Sequence, residues 1–267
     1  MKRITIIVTL AVLFGGMGCV GFPRTPRPRN LNIVFIGDSI TSGYLMKFPE
    51  RDAPPVYAAA WLKGQLGVTN VLFRNCGKPA YRTDQFLPDQ VNSAWGGVKQ
   101  AGESYRNVPG TLIFSVMLGA NDSAGNGDTE RHSPARFKAD MKRLVEALRG
   151  SFPESVVVIH HPTGYTKAPG TNPEYLARYK QAINSLVGEV AGAHSGRVFL
   201  GDVSAWAFFD ANMETHWFKE TRCGVPYYVH PNELGAGVIG GLWGKAILQA
   251  VNQSSPNPAK PVSNARD

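Results

Sequence analysis

Residues 31–41 read LNIVFIGDSIT, and this stretch decides the fold. Leu31–Ile36 is a short apolar run, with Asn32 its one polar residue, stopped by Gly37. So short a run, without polar alternation, is expected of a strand buried on both faces. Runs of the same kind recur at Val68–Phe73, Thr111–Leu118, Ser155–Ile159 and Arg197–Leu200. Helical patterns lie between them. Ser133-Pro134 offers an N-cap with proline in the first turn, and Phe137, Met141, Leu144, Val145 and Leu148 then fall on one face. Asn172-Pro173 opens a second helix through Leu176, Tyr179, Ile183, Leu186, Val187 and Val190, and a last one runs from about Asn232 to Val251. Strand alternating with helix predicts one parallel sheet covered on both faces.

The 267 residues carry 43% hydrophobic and 18% charged side chains, which excludes a disordered or fibrous chain. Lys2 and Arg3 precede an apolar run over Ile4–Phe14, followed by Gly15, Gly16, Met17, Gly18 and Cys19. That order is expected of an export signal over residues 1–18 and is too short for a stable membrane span. Gly-Met-Gly-Cys also resembles the bacterial lipobox, which would make Cys19 a lipidation site and membrane anchor. Removal of the signal takes two positive charges from a formal +8 and leaves +6. Arg24, Arg27 and Arg29 lie in the Pro-rich run of residues 19–30, expected to be an extended tether. No basic stripe with interleaved aromatics is present, so nucleic acid is not an expected partner. One domain is expected over residues 31–252, with a disordered tail over 253–267.

Ligands of open parallel sheets bind beyond the carboxyl ends of the strands. The first strand ends in Gly37-Asp38-Ser39, the second in Asn75-Cys76-Gly77 and the third in Gly119-Ala120-Asn121-Asp122. His230-Pro231-Asn232 precedes the last helix. Taken singly, Ser39 reads as a helix cap and Asn121-Asp122 as a turn. Taken together, a serine, an asparagine and a histidine supply a nucleophile, an oxyanion donor and a general base.

In this order the segments resemble the SGNH hydrolases, the GDSL-type esterases and lipases. Gly37-Asp38-Ser39-Ile40 is similar to the family's first block, Gly119-Ala120-Asn121-Asp122 to its third, and His230-Pro231-Asn232 to the histidine end of its fifth. The resemblance implies a three-layer α/β/α, flavodoxin-like fold with a five-stranded, mainly parallel sheet. It also implies ester hydrolysis without metal or other cofactor, by Ser39 and His230. The oxyanion would be held by Ser39, Asn121 and residue 80, with Asp38, Gly119 and Asp122 in support. Two departures stand out. Ala80 occupies the place of the second block's last glycine, so its N–H serves only if the backbone there does not need positive φ. Tyr227 occupies the place of the usual acid, three residues before His230. Asp202 is then the leading candidate to orient the histidine, followed by Asp210, Glu214 and Glu220, with a main-chain carbonyl as a further option.

His160-His161 has no further ligand at metal spacing and reads as a loop pair. His216 rivals His230 as base but lacks the Pro-Asn context. The aromatic stretch from Trp206 to Tyr228 fits either core packing or stacking platforms beside a site. With Cys19 lipidated, Cys76 and Cys223 remain, as free thiols or as one bridge. Both are assigned to loops at the carboxyl edge, so a Cys76–Cys223 disulfide is expected to tie the histidine loop to the oxyanion loop. The function that follows is an exported serine esterase removing O-acetyl or other short acyl groups from carbohydrate. A lipase or lysophospholipase at the membrane is the alternative enzyme, and a non-catalytic glycan-binding module the alternative from another class.

Overall fold

The structure is a computed structural model, and it describes residues 28–124, 131–166, 170–194 and 196–254. Residues 1–27 and 255–267 fall outside it, so the export signal, Cys19, nearly all of the tether and nearly all of the tail lie outside the described residues. Five strands form one sheet: β1 (Arg29–Gly37), β2 (Val68–Gly77), β3 (Thr111–Met117), β4 (Val156–Ile159) and β5 (Val198–Leu200), in the order β2-β1-β3-β4-β5. Every pairing in it is parallel. All five are the apolar runs of the sequence, lengthened or trimmed by a few residues.

Described helices are α1 (Ser39–Ser42), α2 (Pro49–Asp52), α3 (Pro54–Lys63), α4 (Trp95–Glu103), α5 (Ala120–Ser123), α6 (Pro134–Ser151), α7 (Pro173–Ala193), α8 (Ala205–His216) and α9 (Glu233–Ser254). The period-2 geometry of the strands divides the interior in two. Val34, Ile36, Phe114, Val116, Val157 and Ile159 face the layer of α4, α6 and α7. Ile33, Phe35, Ile113, Val156 and Val158 face α3, α8 and α9. Three layers, helix over sheet over helix, are the result. The predicted caps are in place: the Ser133 side chain accepts from Arg136 N–H and Asn172 from Tyr175 N–H. Each such cap contributes about 1 kcal/mol.

From β1 the chain first builds β2 on one side and then returns to place β3 on the other. The strand order therefore reverses between β1 and β3, and their carboxyl ends bound the crevice where a doubly wound sheet binds ligands. A separate antiparallel hairpin, β6 (Glu220–Arg222) and β7 (Val225–Tyr227), precedes α9. It is absent from the sequence reading.

Candidate active site

Ser39 stands at the first turn of α1, directly after β1, with the Asp38 side chain accepting from Ile40 N–H at 3.0 Å. The end of β2 clasps the same turn. Asn75 Nδ2 donates to the Thr41 carbonyl at 2.9 Å and Asn75 Oδ1 accepts from Gly77 N–H at 2.9 Å. A Cβ on Gly77 would lie 2.4 Å from Ser42 N, so only glycine lets β2 approach this closely. Ser39 Oγ lies 2.9 Å from His230 Nε2, across 191 positions of sequence.

The other imidazole nitrogen faces a carboxylate. His230 Nδ1 is 2.9 Å from Glu220 Oε1 and 3.0 Å from Oε2. Glu220 also accepts from the His230 backbone N–H at 3.3 Å and from the Tyr227 hydroxyl at 3.2 Å. Burial raises the Glu220 carboxyl, but the hydrogen bonds and charge of His230, with the Tyr227 bond, outweigh it and hold the group below its ordinary value. The hairpin is anchored where it meets the histidine: Phe218 N–H donates to the His230 carbonyl at 2.9 Å and Asn232 N–H to the His216 carbonyl at 3.0 Å. A charged carboxylate on Nδ1 fixes the tautomer that leaves Nε2 able to accept a proton from Ser39.

Asn121 follows β3 on α5, beside Ser39, where both line a cleft of about 280 Å³ with Tyr44, Ala80, Tyr227 and His230. One Asn121 Nδ2 hydrogen goes to the Tyr81 carbonyl at 3.0 Å, and the amide keeps its second donor for the cleft. Gly119 supports this turn at φ +127°, and a Cβ there would press on the Tyr179 ring at 3.2 Å. Asp122 is fully buried, accepts from Thr83 N–H with both oxygens (3.1 and 3.2 Å) and lies 3.0 Å from His132 Nδ1. It thereby pins the segment that carries the Tyr81 carbonyl. Ala80 does adopt positive φ, +64°, contrary to the condition set by the sequence. An alanine there stores about 1 kcal/mol of strain that glycine would not. Its N–H has no partner among the described residues, nor does that of Ser39. Removing the amide in Asn121→Ala is expected to lower turnover about 10²–10³-fold, measured on a chromogenic acetate. A loss below tenfold would assign Asn121 to structure alone.

Burial raises Asp38 from its ordinary 3.8 to about 6, against the lowering effects of the Ile40 N–H and of His230. Its folded-state value lies above the unfolded one, so its contribution is fully present below pH 3.8 and is lost as pH rises through 6. At pH 7 this buried charge costs about 2–3 kcal/mol. Asn caps as well as Asp. Asp38→Asn is therefore expected to stabilise the fold by about that amount at pH 7 and by little at pH 4, read from denaturant melts at both.

Two sequence readings are corrected, and others are made specific. Asp202 does not orient His230; its carboxylate caps α8, accepting from Ser204 N–H, Ser204 Oγ and Ala205 N–H. Cys76 and Cys223 are both free. Cys76 ends β2 on the side packed towards α4, where burial pushes its thiol up to about 11, whereas Cys223 sits exposed at the hairpin turn. The aromatic stretch divides: Phe209 and Trp217 are core, and Tyr227 alone of the seven reaches the cleft. His216 pairs with Thr215 Oγ1 and the Asn212 carbonyl, away from Ser39. His160 is a core residue, stacked on Trp243 with Nδ1 accepting from Asp202 N–H. Among the described residues no cluster of His, Cys, Asp or Glu is arranged to hold a metal.

A hydroxyl bonded to an imidazole that is bonded in turn to a carboxylate, at the switch point of a parallel sheet, has the parts for acyl transfer. The fold and the site define a hydrolase of the α/β/α class. The chain belongs to the GDSL-like lipase/acylhydrolase family, whose model matches residues 35–238, and it is an ester-bond hydrolase. Solved structures agree in fold. A carbohydrate acetylesterase from Sinorhizobium meliloti is 16% identical with a TM-score of 0.56, over 82% of this chain and 98% of that one. An aryl esterase from M. smegmatis is 15% identical with a TM-score of 0.54, over 84% and 99%. A family two carbohydrate esterase from Clostridium thermocellum, in complex with cellohexaose, is 14% identical with a TM-score of 0.53, over 85% and 66%. No curated protein matches the chain.

Proposed function

We propose that this hydrolase is an exported carbohydrate esterase that releases acetyl or other short acyl groups, with Ser39 as nucleophile, His230 as base and Glu220 as the acid that orients it. The observation that carries the reading is the chain of hydrogen bonds from Ser39 Oγ through His230 to Glu220. Ser39 Oγ attacks the ester carbonyl carbon while His230 Nε2 takes its proton. The resulting oxyanion is held by the Ser39 and Ala80 N–H groups and the second Asn121 Nδ2 hydrogen. Collapse breaks the bond to the alcohol oxygen, which leaves with the proton from Nε2. Water, deprotonated by the same nitrogen, then releases the acid from acyl-Ser39.

The carbohydrate half of the reading is supported by the likeness to two carbohydrate esterases and by the tyrosine rings of Tyr44 and Tyr227 on the cleft walls. Export rests on the first 18 residues of the sequence. One observation favours a lipase instead: Leu45 and Phe48 are exposed in the same loop as Tyr44. Hydrolysis of p-nitrophenyl esters from acetate to dodecanoate separates the two. A maximum at acetate, with acetyl release from acetylated xylan, is the expected result; activity rising with chain length would replace the glycan reading by the lipid one. Glu220 beside His230 supports the catalytic reading over a non-catalytic module, which rested on a missing acid.

A further inference from the structure

Behind the wall of the cleft that carries Ala80 and Asn121 lies a cluster of charge that the ester chemistry leaves unused. His132 stands just ahead of α6, fully buried, and is ringed by carboxylates from three elements. Its Nδ1 is 3.0 Å from Asp122 Oδ1, on α5, and 3.7 Å from Asp140 Oδ2, on α6. Its Nε2 is 3.4 Å from Asp84 Oδ2, in the short helical turn Thr83–Phe86. The arginines of the cluster reach the other two acids: Arg82 and Arg136 pair with Asp84, and Arg136 and Arg143 with Asp140. Among the described residues, His132 is the one basic side chain in ion-pair contact with Asp122.

The main chain holds the imidazole in place. His132 N–H donates to the Asp122 carbonyl at 3.0 Å, and the His132 carbonyl accepts from the Tyr179 hydroxyl at 2.6 Å. Tyr179 is itself buried and stacked on Phe137, with ring centroids 4.1 Å apart. A buried carboxylate stripped of its basic partner is strongly disfavoured, so Asp122 is tied to this anchored ring.

At Asp122 the cluster meets the chemistry. Neighbouring residues of α5 lace the segment 80–83 at two points: Asn121 Nδ2 donates to the Tyr81 carbonyl, and Thr83 N–H donates to both Asp122 oxygens. These two points set where Ala80 N–H stands relative to the Asn121 amide. His132 closes the second point from behind, spanning from Asp122 to Asp84 beside Thr83. An oxyanion hole needs its donors fixed before charge develops, and a misplacement of about 1 Å can cost on the order of 10² in rate.

We infer that His132 is a positioning residue for the oxyanion hole, which clamps Asp122 to Asp84 and so fixes Asn121 against Ala80. The inference rests on the proposed oxyanion role of Asn121 and Ala80 and adds the group that keeps them in register.

A double-mutant cycle reads this coupling, with each chain first shown by its melt to be folded at the assay temperature. His132→Leu removes both ring nitrogens. It should lower kcat on a chromogenic acetate by about 10–100-fold with KM held within about 3-fold, because the oxyanion exists only in the transition state. His132→Gln keeps a donor for one of the two carboxylates and should lose less; it carries the cycle if the leucine chain does not fold. On an Asn121→Ala background the same substitution should cost about 3-fold or less. Hydrogen exchange is the second readout, and the Thr83 amide should exchange about tenfold faster in either variant. An unchanged kcat, a full loss repeated on the Asn121→Ala background, or unchanged Thr83 exchange would overturn the inference. Faster Thr83 exchange in a protein whose turnover survives Ser39→Ala would retain the clamp and overturn the Ser39 site instead.

Discussion

Ser39→Ala is expected to lower hydrolysis of a chromogenic acetate by roughly 10⁴–10⁶-fold, the loss seen when a nucleophile that acts as a unit with its base is removed. The melting temperature should stay within a few degrees, because the hydroxyl faces the cleft and its hydrogen bond runs to His230 rather than into the core. The remaining structure of the turn is held by backbone and by neighbours. Asp38 caps it, Asn75 clasps Thr41, and Ser42 Oγ donates to the Ser39 carbonyl at 2.9 Å. None of these needs the Ser39 side chain. Turnover unchanged in the variant would place the nucleophile elsewhere and dissolve the site as described.

The second large effect is expected at Glu220. Glu220→Gln keeps the shape of the side chain but removes the charge that stabilises the imidazolium formed as Ser39 attacks. Its amide group can also turn an N–H towards His230 Nδ1 and favour the wrong tautomer. Turnover should fall by about 10³–10⁴-fold near neutral pH. Glu220→Asp should recover part of that loss, since it restores the charge at a longer reach. Asp202→Asn is the matching control. That carboxylate caps α8 and touches neither Ser39 nor His230, so turnover should stay within a few-fold while stability falls by about 1 kcal/mol. A large loss at Asp202 with none at Glu220 would reverse the assignment of the acid.

The difference between these two carboxylates marks where the sequence stops being legible. The sheet could be read because its central strands are buried on both faces and so are mainly apolar, as at Leu31–Ile36, where Asn32 is the one polar side chain, and at Val156–Ile159. Ser39, Asn121 and His230 could be read because each follows such a strand or opens a helix, at a place the fold reserves for ligands. Glu220 stood among four candidate acids with nothing to single it out. Its partner lies ten residues on rather than three, and the hairpin that closes the distance is only three residues to a strand. A two-residue turn with both residues at positive φ is the usual hairpin loop, announced in sequences by Asn-Gly or Asp-Gly. Here the pair is Cys223-Gly224, at φ +50° and +75°, and a cysteine sends no such signal. Pro226 on the return strand weakens the pattern further. The expected Cys76–Cys223 bridge fails on the same hairpin. Once residue 223 is the tip of a hairpin instead of part of a loop along the sheet edge, its thiol points to solvent while Cys76 packs towards α4.

The central claim is that His230, oriented by Glu220, activates Ser39. Covalent capture tests it most directly, because it asks for an activated hydroxyl and does not depend on knowing the substrate. The full chain is incubated with a fluorophosphonate, which loses fluoride to a reactive serine, and the product is weighed intact and mapped by peptide. The expected result is one phosphonyl group, on the peptide containing Ser39, formed far more slowly in Glu220→Gln and not at all in Ser39→Ala. An unmodified chain, or a phosphonyl group on any other serine, would contradict the account.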